Sequence, residues 1–402
     1  MRLATSLVAA MIGISDFIAH PLQSLSQWAA HIDRKWTYNF PEGSADDKKL
    51  LGNKGSLLCE MTRMGLPVPP GFVITTEACN EYYLKADFIA SDLTKEIIQG
   101  VHELERSSGM TFGGKLDDPQ APPLLLSVRS GAACSMPGMM DTVLNLGIND
   151  RVFSSLVSCS SNPRYCFDTY RRFLQMYGEV VLGIERTKYE DVLERTKKHR
   201  GVKFDYELTV SDLQLVVDEF KKLTAFPEDP WEQLKSAVEA VFKSWFSPRA
   251  VKYRDIHGIP NDLGTAVTIQ SMVFGNLNSL SGSGVAFTRN PVNGEDVFYG
   301  EYLDNCEGED VVSGARTPEN LDYLKNRLPA VHAQLVDIRY KLEKHFKDMQ
   351  GKLALRSDTS LIKIQTSSSL WRVARYISCK LDQESGLPRH RCAWLLIWCV
   401  KN

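Results

Sequence analysis

The sequence lacks the features that would place it among membrane or nucleic-acid-binding proteins. Its 402 residues carry a net charge of only −2 at pH 7, so no extended basic surface is available for nucleic acid or for an anionic membrane. No apolar run approaches the about 20 residues that a transmembrane helix needs. We therefore expect neither nucleic acid nor a membrane among the partners of this protein.

Cysteine is present, but its spacing shows no recognisable pairs. The nine cysteines are an odd number, and none of them forms a CxxC pair or the spacing of a zinc site. This pattern favours a reducing compartment, and we expect a cytoplasmic protein. Residues 1–34 leave a second possibility open, because Arg2 and the acid-free apolar run after it resemble a targeting segment. No clean cleavage site follows, and an upstream extension or a mistaken start explains these residues equally well.

Glycine and proline are plentiful and mark the boundaries of the predicted elements. A helix is predicted from the Gly-Asn-Lys-Gly segment after Leu51 to Met64, with Gly65 as its stop. The prolines of residues 67–70 then require an extended turn before a strand over residues 72–75. A further buried strand is predicted over residues 124–128.

The middle of the chain is predicted to be helical and the next part to form strands. Helical periodicity extends over about residues 150–245, and Asp229-Pro-Trp-Glu is a strong helix start. One long amphipathic helix is predicted over residues 321–346, which Pro329 should start or kink. The predicted strands between these regions are separated by glycine- and asparagine-rich turns: 265–274, 284–288 and 297–302.

Three segments combine glycine, a lone base and hydroxyl groups, as polyphosphate binding requires. They are residues 52–55, residues 127–132 with their continuation through 135–142, and residues 270–275 with 281–291. Lys54 lies in Gly52-Asn-Lys-Gly, although such a segment is more often a solvated turn. Arg129 closes an otherwise apolar strand and needs a fixed anionic partner. A phosphate and a structural salt bridge satisfy that need equally well, so both interpretations stay open.

Three further features bear on the same hypothesis. Residues 135–142 contain Met136, Met139 and Met140 among glycine and proline, so this loop either closes over a ligand or fills a gap in the core. Gln270 lies within a predicted strand and points its amide either at a ligand or at solvent. Four carboxylates are numerous enough to hold magnesium beside phosphates, although solvation is their default state: Glu301, Glu307, Glu309 and Asp310.

Together these segments resemble the nucleotide-binding end of pyruvate, phosphate dikinase over residues 35–350. The matching stretches, in order, are Leu51-Gly-Asn-Lys-Gly, residues 65–79, Ser127-Val-Arg-Ser-Gly-Ala, residues 135–147 (SMPGMMDTVLNLG) and Gly284-Val-Ala-Phe-Thr-Arg-Asn-Pro. The resemblance implies an α+β fold of the ATP-grasp type, in which two subdomains hold Mg-ATP. It also implies a domain over residues 35–369 with a helical insertion at about 150–245.

The resemblance also implies roles for particular residues. Lys54 and Arg129 correspond to the catalytic, phosphate-contacting bases, with ATP and Mg²⁺ as the cofactors. Gly138 and Thr142 correspond to backbone and hydroxyl contacts of the phosphate loop, and Gln270 to a nucleotide contact. Glu309 and Asp310 match a segment of the family, but we assign them no role.

The sequence departs from the family near its C-terminus. After Met349-Gln350 the family continues with Asp-x-Glu, whose carboxylates hold magnesium, whereas this chain reads Gly351-Lys-Leu. The metal ligands are therefore unknown. Gln365 falls where a family glutamine is expected and is predicted to contact the nucleotide, but Ser367 replaces the arginine that should follow.

None of the histidines lies in the family's phosphohistidine context, and residues 370–402 resemble nothing in the family, so we expect an unrelated tail. A frameshift, a retained intron or a truncated gene model would explain it. The resemblance implies the ATP-binding portion of a dikinase-like phosphotransferase, with a phosphohistidine-domain partner only if supplied in trans. The alternative is a catalytically inactive nucleotide-binding module or a truncated fragment.

Overall fold

The computed structural model describes residues 34–356 and 361–366, apart from residues 87, 116, 117, 119, 120, 314, 315 and 348. The chain divides into Met1–Trp36 and Thr37–Asn402, and the second unit carries all the elements below. Most of the N-terminal extension and the whole tail at 370–402 lie outside the described residues. Within the described part, no helix is long and apolar enough to cross a lipid bilayer.

The strands build two larger sheets and one small one. In chain order they are β1 (Thr37–Asn39), β2 (Gly71–Ile74), β3 (Thr111–Phe112), β4 (Pro123–Leu124), β5 (Leu126–Gly131), β6 (Thr142–Leu146), β7 (Ala266–Ser271), β8 (Gly282–Phe287), β9 (Tyr299–Asp304), β10 (Glu319–Asn320), β11 (Gln350–Arg356) and β12 (Leu361–Thr366). The first sheet has the order β1-β2-β7-β5-β6 and the second β10-β9-β8-β11-β12, while β3 and β4 pair alone. Both five-stranded sheets are antiparallel throughout.

The helices separate into those that accompany the sheets and those inserted between β6 and β7. They are α1 (Lys48–Arg63), α2 (Thr76–Leu84), α3 (Ser91–Ser108), α4 (Asp150–Cys159), α5 (Pro163–Val180), α6 (Arg186–Arg200), α7 (Val210–Leu223), α8 (Pro230–Ser244), α9 (Pro248–His257), α10 (Gly308–Ser313), α11 (Asp322–Arg327) and α12 (Pro329–Phe346). This mixture of helices and antiparallel sheets confirms the expected α+β class.

Local sequence signals explain several helix boundaries. The Asp229 side chain accepts a hydrogen bond from the backbone N–H of Trp231, and Pro230 occupies the first turn of α8. This confirms the predicted helix start, because a capping carboxylate satisfies an N–H group that has no partner within the helix.

The predicted long helix over residues 321–346 is wrong in one respect. It is interrupted at Leu328, which lies between α11 and α12, and Pro329 begins the second helix. Proline has no N–H group to continue the preceding helix, and its fixed φ angle suits a first turn. The apolar spacing was correct, but it belongs to two helices.

A shared apolar core connects the two sheets through their helices. Leu51 and Leu58 of α1 belong to the same buried cluster as Leu335 and Leu342 of α12 and Tyr302 of β9. Burial of such side chains contributes about 1.5–3 kcal/mol each. The α1 helix is therefore held from both sides, which fixes the residues at its N-terminal end.

Candidate functional site

A cavity of about 350 Å³ is lined by residues of both five-stranded sheets. Arg129 and Thr142 come from the first sheet, Ser283 and Ala354 come from the second, and Lys54 comes from α1. The volume lies at the lower end of the range for small-molecule sites, which is about 300–1,000 Å³. A cavity between separate structural layers, with cationic and hydroxyl groups in its wall, is suited to an anionic ligand.

Lys54 reaches the cavity because α1 approaches the end of β5 closely. Gly52 has a φ angle of +67°, and a Cβ atom built on it would lie 1.7 Å from the carbonyl oxygen of Gly131. Only glycine permits that approach. The Asn53 N–H then donates to the Ala132 carbonyl at 2.9 Å. The interpretation of this segment as a solvated turn is wrong, since it forms the kinked first turns of a buried helix.

The Lys54 ammonium group is anchored at the strand that carries Arg129. Its Nζ atom donates to the carbonyl oxygen of Ser130 at 3.0 Å. Both cations line the same cavity, although they come from separate segments of the chain. This convergence is the geometry that a polyphosphate site needs.

Strand pairing determines the surroundings of Arg129. Ser127 and Arg129 share one face of β5, because side chains two residues apart point the same way. Gln270 of β7 lies directly opposite Ser127, and Thr142 of β6 lies opposite Arg129. The Arg129 guanidinium group donates to the Ser127 hydroxyl at 3.2 Å and to the Gln270 side-chain oxygen. Burial lowers the pKa of Arg129 to about 10, so it remains a cation at neutral pH.

Gln270 is fully buried and holds Arg129 in place. Its amide nitrogen donates to the Pro69 carbonyl at 2.8 Å, and its amide oxygen accepts from Arg129. These two bonds fix the orientation of the amide and direct the guanidinium group along β5. Contact of Gln270 with a nucleotide stays a prediction, whereas its support of Arg129 is visible in the fold.

The predicted phosphate loop lines the cavity and also contributes to the core. Gly138 has a φ angle of +70° and is exposed at the cavity wall. Met136 is buried against Trp245 and Ala250, yet it also borders the cavity. Met136 therefore fills part of the core, as one of the two interpretations of this loop expected. Closure over a ligand stays a prediction.

Two carboxylates, Glu307 and Glu309, line the cavity. Burial raises the pKa of Glu307 to about 7, although the nearby Arg172 guanidinium opposes the shift. Within the described residues, no group of three or more His, Cys, Asp and Glu side chains is arranged to hold a metal ion. Magnesium at nucleotide sites usually needs only one or two carboxylates besides phosphate oxygens, so these two fit an ion that arrives with a nucleotide.

The other predicted residues lie at different places. Glu301 is exposed on β9, and Asp310 of α10 contacts Arg172. Gln365 lies on β12 with its backbone opposite Lys352. Its side chain is outside the described part of the structure, so its contact with a nucleotide stays a prediction.

One group of residues near the cavity was not anticipated from the sequence. Asp168 and Arg172 of α5 form an ion network with the turn that contains Glu307. A sequence signal existed in the spacing of Asp168-x-x-Arg-Arg, which places opposite charges on one face of a helix. That spacing alone did not reveal the distant turn to which the network attaches.

Comparisons with known proteins show which family the chain resembles. The family model of the pyruvate phosphate dikinase AMP/ATP-binding domain matches residues 48–108 and 84–365. Pyruvate, phosphate dikinase of Clostridium symbiosum is 46% identical over 359 residues, which is 87% of this chain and 40% of that protein. The chloroplastic pyruvate, phosphate dikinase 1 of Arabidopsis thaliana is 49% identical over 338 residues, which is 82% of this chain and 34% of that protein.

A third relative is similar over most of the chain. Pyruvate, phosphate dikinase of Rhizobium meliloti (strain 1021) is 46% identical over 376 residues, covering 88% of this chain and 41% of that protein. The chain thus spans between 34% and 41% of the length of these relatives. The resemblance inferred from the motifs is confirmed, and the chain belongs to the family of the pyruvate phosphate dikinase AMP/ATP-binding domain.

Proposed function

We propose that this chain binds ATP in the cavity between its two sheets, as the nucleotide-binding portion of a pyruvate, phosphate dikinase-like phosphotransferase. The observation that carries the proposal is that Lys54 and Arg129 line one cavity. In the complete enzyme, the family resemblance implies conversion of ATP, pyruvate and phosphate to AMP, phosphoenolpyruvate and diphosphate. A phosphohistidine domain supplied in trans is part of this proposal.

The proposed chemistry of the site is charge neutralisation and positioning. Phosphoryl transfer requires little covalent participation by the protein, so fixed cations and donors account for most of the catalysis. Lys54 and Arg129 would neutralise phosphate oxygens, while the Gly138 N–H and the Thr142 hydroxyl would donate hydrogen bonds to them. Gln365 would contact the nucleotide from β12. Bound magnesium would supply further neutralisation of the phosphates.

Substitution of Arg129 tests this proposal. We expect Arg129→Ala to raise the dissociation constant for Mg-ATP by about tenfold to a hundredfold, because a charged hydrogen bond contributes about 1.5–3 kcal/mol. Isothermal titration calorimetry measures the affinity, and urea unfolding measures the stability. Arg195→Ala is the control, because Arg195 is exposed on α6 and does not line this cavity.

The result should separate binding from structure. A loss of affinity that exceeds the loss of stability supports a ligand-binding Arg129. If Arg129→Ala loses as much free energy of unfolding as free energy of ATP binding, Arg129 has a purely structural role. The same conclusion follows if Arg195→Ala loses as much ATP affinity as Arg129→Ala. Wild-type protein should gain about 2.7 kcal/mol of stability at 100 times the dissociation constant.

A second candidate function is a nucleotide-binding module without catalysis. The observation that favours it is Gly351-Lys-Leu, which stands where the family pattern has Asp-x-Glu. Titration of ATP with magnesium and with a chelator discriminates the two candidates. A productive site requires tighter binding with magnesium, followed by phosphorylation of an added phosphohistidine domain. Binding that is indifferent to magnesium, with no phosphorylation, supports the inactive module.

We also propose a cytoplasmic location, with residues 1–34 as the feature that could change it. The test is a fusion of residues 1–34 to the N-terminus of a fluorescent protein. The control is the same fluorescent protein without these residues. Diffuse fluorescence from both proteins supports the cytoplasm. Organellar fluorescence from the fusion alone would make the extension a targeting segment.

A further inference from the structure

A buried ion network connects the inserted helices to one wall of the cavity. Arg172 of α5 donates through Nη2 to both carboxylate oxygens of Asp310, each at 3.0 Å. Its Nε atom donates to Asp168, one turn earlier on the same helix, at 2.9 Å. One guanidinium nitrogen therefore contacts both oxygens of the carboxylate in charge-assisted hydrogen bonds. Arg172 therefore links two segments that are far apart in the sequence.

Asp310 in turn stabilises the residues that line the cavity. Its side chain accepts a hydrogen bond from the Glu307 N–H at 3.0 Å, and its own N–H donates to the Glu307 carbonyl at 3.1 Å. These bonds close the turn formed by residues 307–310. Glu307, Gly308 and Glu309 of this turn are part of the cavity wall. The carboxylate held by Arg172 thus determines the shape of that wall.

The network is largely shielded from water, so its charged groups must keep their relative positions. The side chains of Arg172, Asp168 and Glu307 are exposed by only 16%, 5% and 6%. Asn276 adds a hydrogen bond to Glu307 at 3.3 Å. Buried charges tolerate little displacement, because a partner that moves away leaves an uncompensated charge. Neither Arg172 nor Asp310 lines the cavity itself, so their effect on a ligand is indirect.

We propose that Arg172 is a positioning residue of the nucleotide site, which holds the turn at residues 307–310 against α5 so that the cavity wall keeps its shape. The choice of ATP as ligand rests on the proposed function. The attachment of the turn does not, because it follows from the contacts alone. One experiment can therefore disprove ATP as the ligand, and a different one can disprove the attachment of the turn.

The adjacent residue Arg171 provides a matched control. Its Nη2 atom donates to the other oxygen of Asp168 at 2.6 Å, and its side chain is exposed by only 4%. Its second acidic neighbour is Asp205, at 3.7 Å, outside the turn. Removal of either guanidinium group deprives the same carboxylate of a partner. Only removal of Arg172 also releases Asp310.

Calorimetric titration with Mg-ATP compares Arg172→Met, Arg171→Met and Asp310→Asn. We expect both arginine variants to lower the melting temperature, but only Arg172→Met to raise the dissociation constant by about tenfold or more. Asp310→Asn is the milder variant if Arg172→Met does not fold. It should also raise the dissociation constant for Mg-ATP. The double variant Arg172→Met/Asp310→Asn should bind Mg-ATP no more weakly than Arg172→Met alone, because both changes break the same contact.

Hydrogen exchange without nucleotide tests the attachment of the turn separately. Amide protons of residues 307–313 should exchange faster in Arg172→Met than in wild type, and Arg171→Met should leave them unchanged. Equal effects of the two arginine variants on exchange and affinity, or additive losses in the double variant, would overturn the proposal. If wild type binds no ATP but residues 307–313 still exchange faster in Arg172→Met, the proposed function is overturned and the attachment of the turn to α5 stands.

Discussion

At the scale of single residues, the site depends on a glycine that touches no ligand. Gly52 combines a left-handed φ angle with a backbone oxygen 1.7 Å from where a Cβ atom would lie. The sequence indicated that glycine matters in this segment but suggested phosphate contact as the reason. The structural reason is the close approach of α1 to β5, which brings Lys54 beside Ser130.

Substitution of this glycine should therefore cost stability before it affects binding. We expect Gly52→Ala to lower the free energy of unfolding by about 3 kcal/mol, because backbone strain adds to a steric clash. Gly65→Ala is the matched control, since Gly65 has a φ angle of +71° with nothing within 4 Å of its Cβ position. It should lose only about 1 kcal/mol. Equal losses in urea unfolding would contradict the close approach at Gly52.

Glu307 should make stability depend on pH. Burial raises its pKa from 4.5 to about 7, so between these values the folded state binds more protons than the unfolded state. Stability therefore falls as pH rises through this interval, by up to about 3 kcal/mol, and then levels off. The charged groups that act on Glu307 are Arg172 and Asp168 of α5 and Glu309 and Asp310 of α10.

The variant Glu307→Gln should remove this dependence. We expect its stability relative to wild type to increase steadily from pH 4.5 to pH 7, as measured by urea unfolding at several pH values. Glu301→Gln is the control, because Glu301 is exposed on β9. A constant difference between Glu307→Gln and wild type across this range would show that Glu307 ionises normally.

At the scale of elements, helix boundaries follow local chemistry that is legible in the sequence. Asp229→Ala should lower the free energy of unfolding by about 1 kcal/mol, since it removes the cap that accepts from the Trp231 N–H. Asp218→Ala on the exposed face of α7 is the control and should change stability by less than about 0.5 kcal/mol. Indistinguishable unfolding curves for the two variants would argue against a capping role.

Helices and their ends were predictable where residues close in sequence determine them. Periodicity and end signals located α1 and α8, because each has one apolar face and at least one marked end. Strand pairing was not predictable, since β5 and β7 pair across more than a hundred intervening residues. The neighbours of Arg129 depend on that pairing. The sequence therefore suggested Arg129 and Gln270 as site residues, but it did not reveal that the amide holds the guanidinium.

At the scale of the whole molecule, the site exists because two sheets and one helix meet. Neither sheet alone carries both cations, and the turn at residues 307–310, whose first three residues line the cavity, is tied to the inserted helices through Arg172. The motif resemblance anticipated the family and the fold class. The ion network was missed, because a charge spacing on one helix does not show which distant turn completes it.

The proposed function depends on Lys54 and Arg129 binding one triphosphate. A crystal structure of the protein with a non-hydrolysable ATP analogue and magnesium tests it most directly. We expect phosphate oxygens within about 3.2 Å of both the Lys54 ammonium and the Arg129 guanidinium groups. A nucleotide bound elsewhere, or phosphates that contact neither cation, would contradict it.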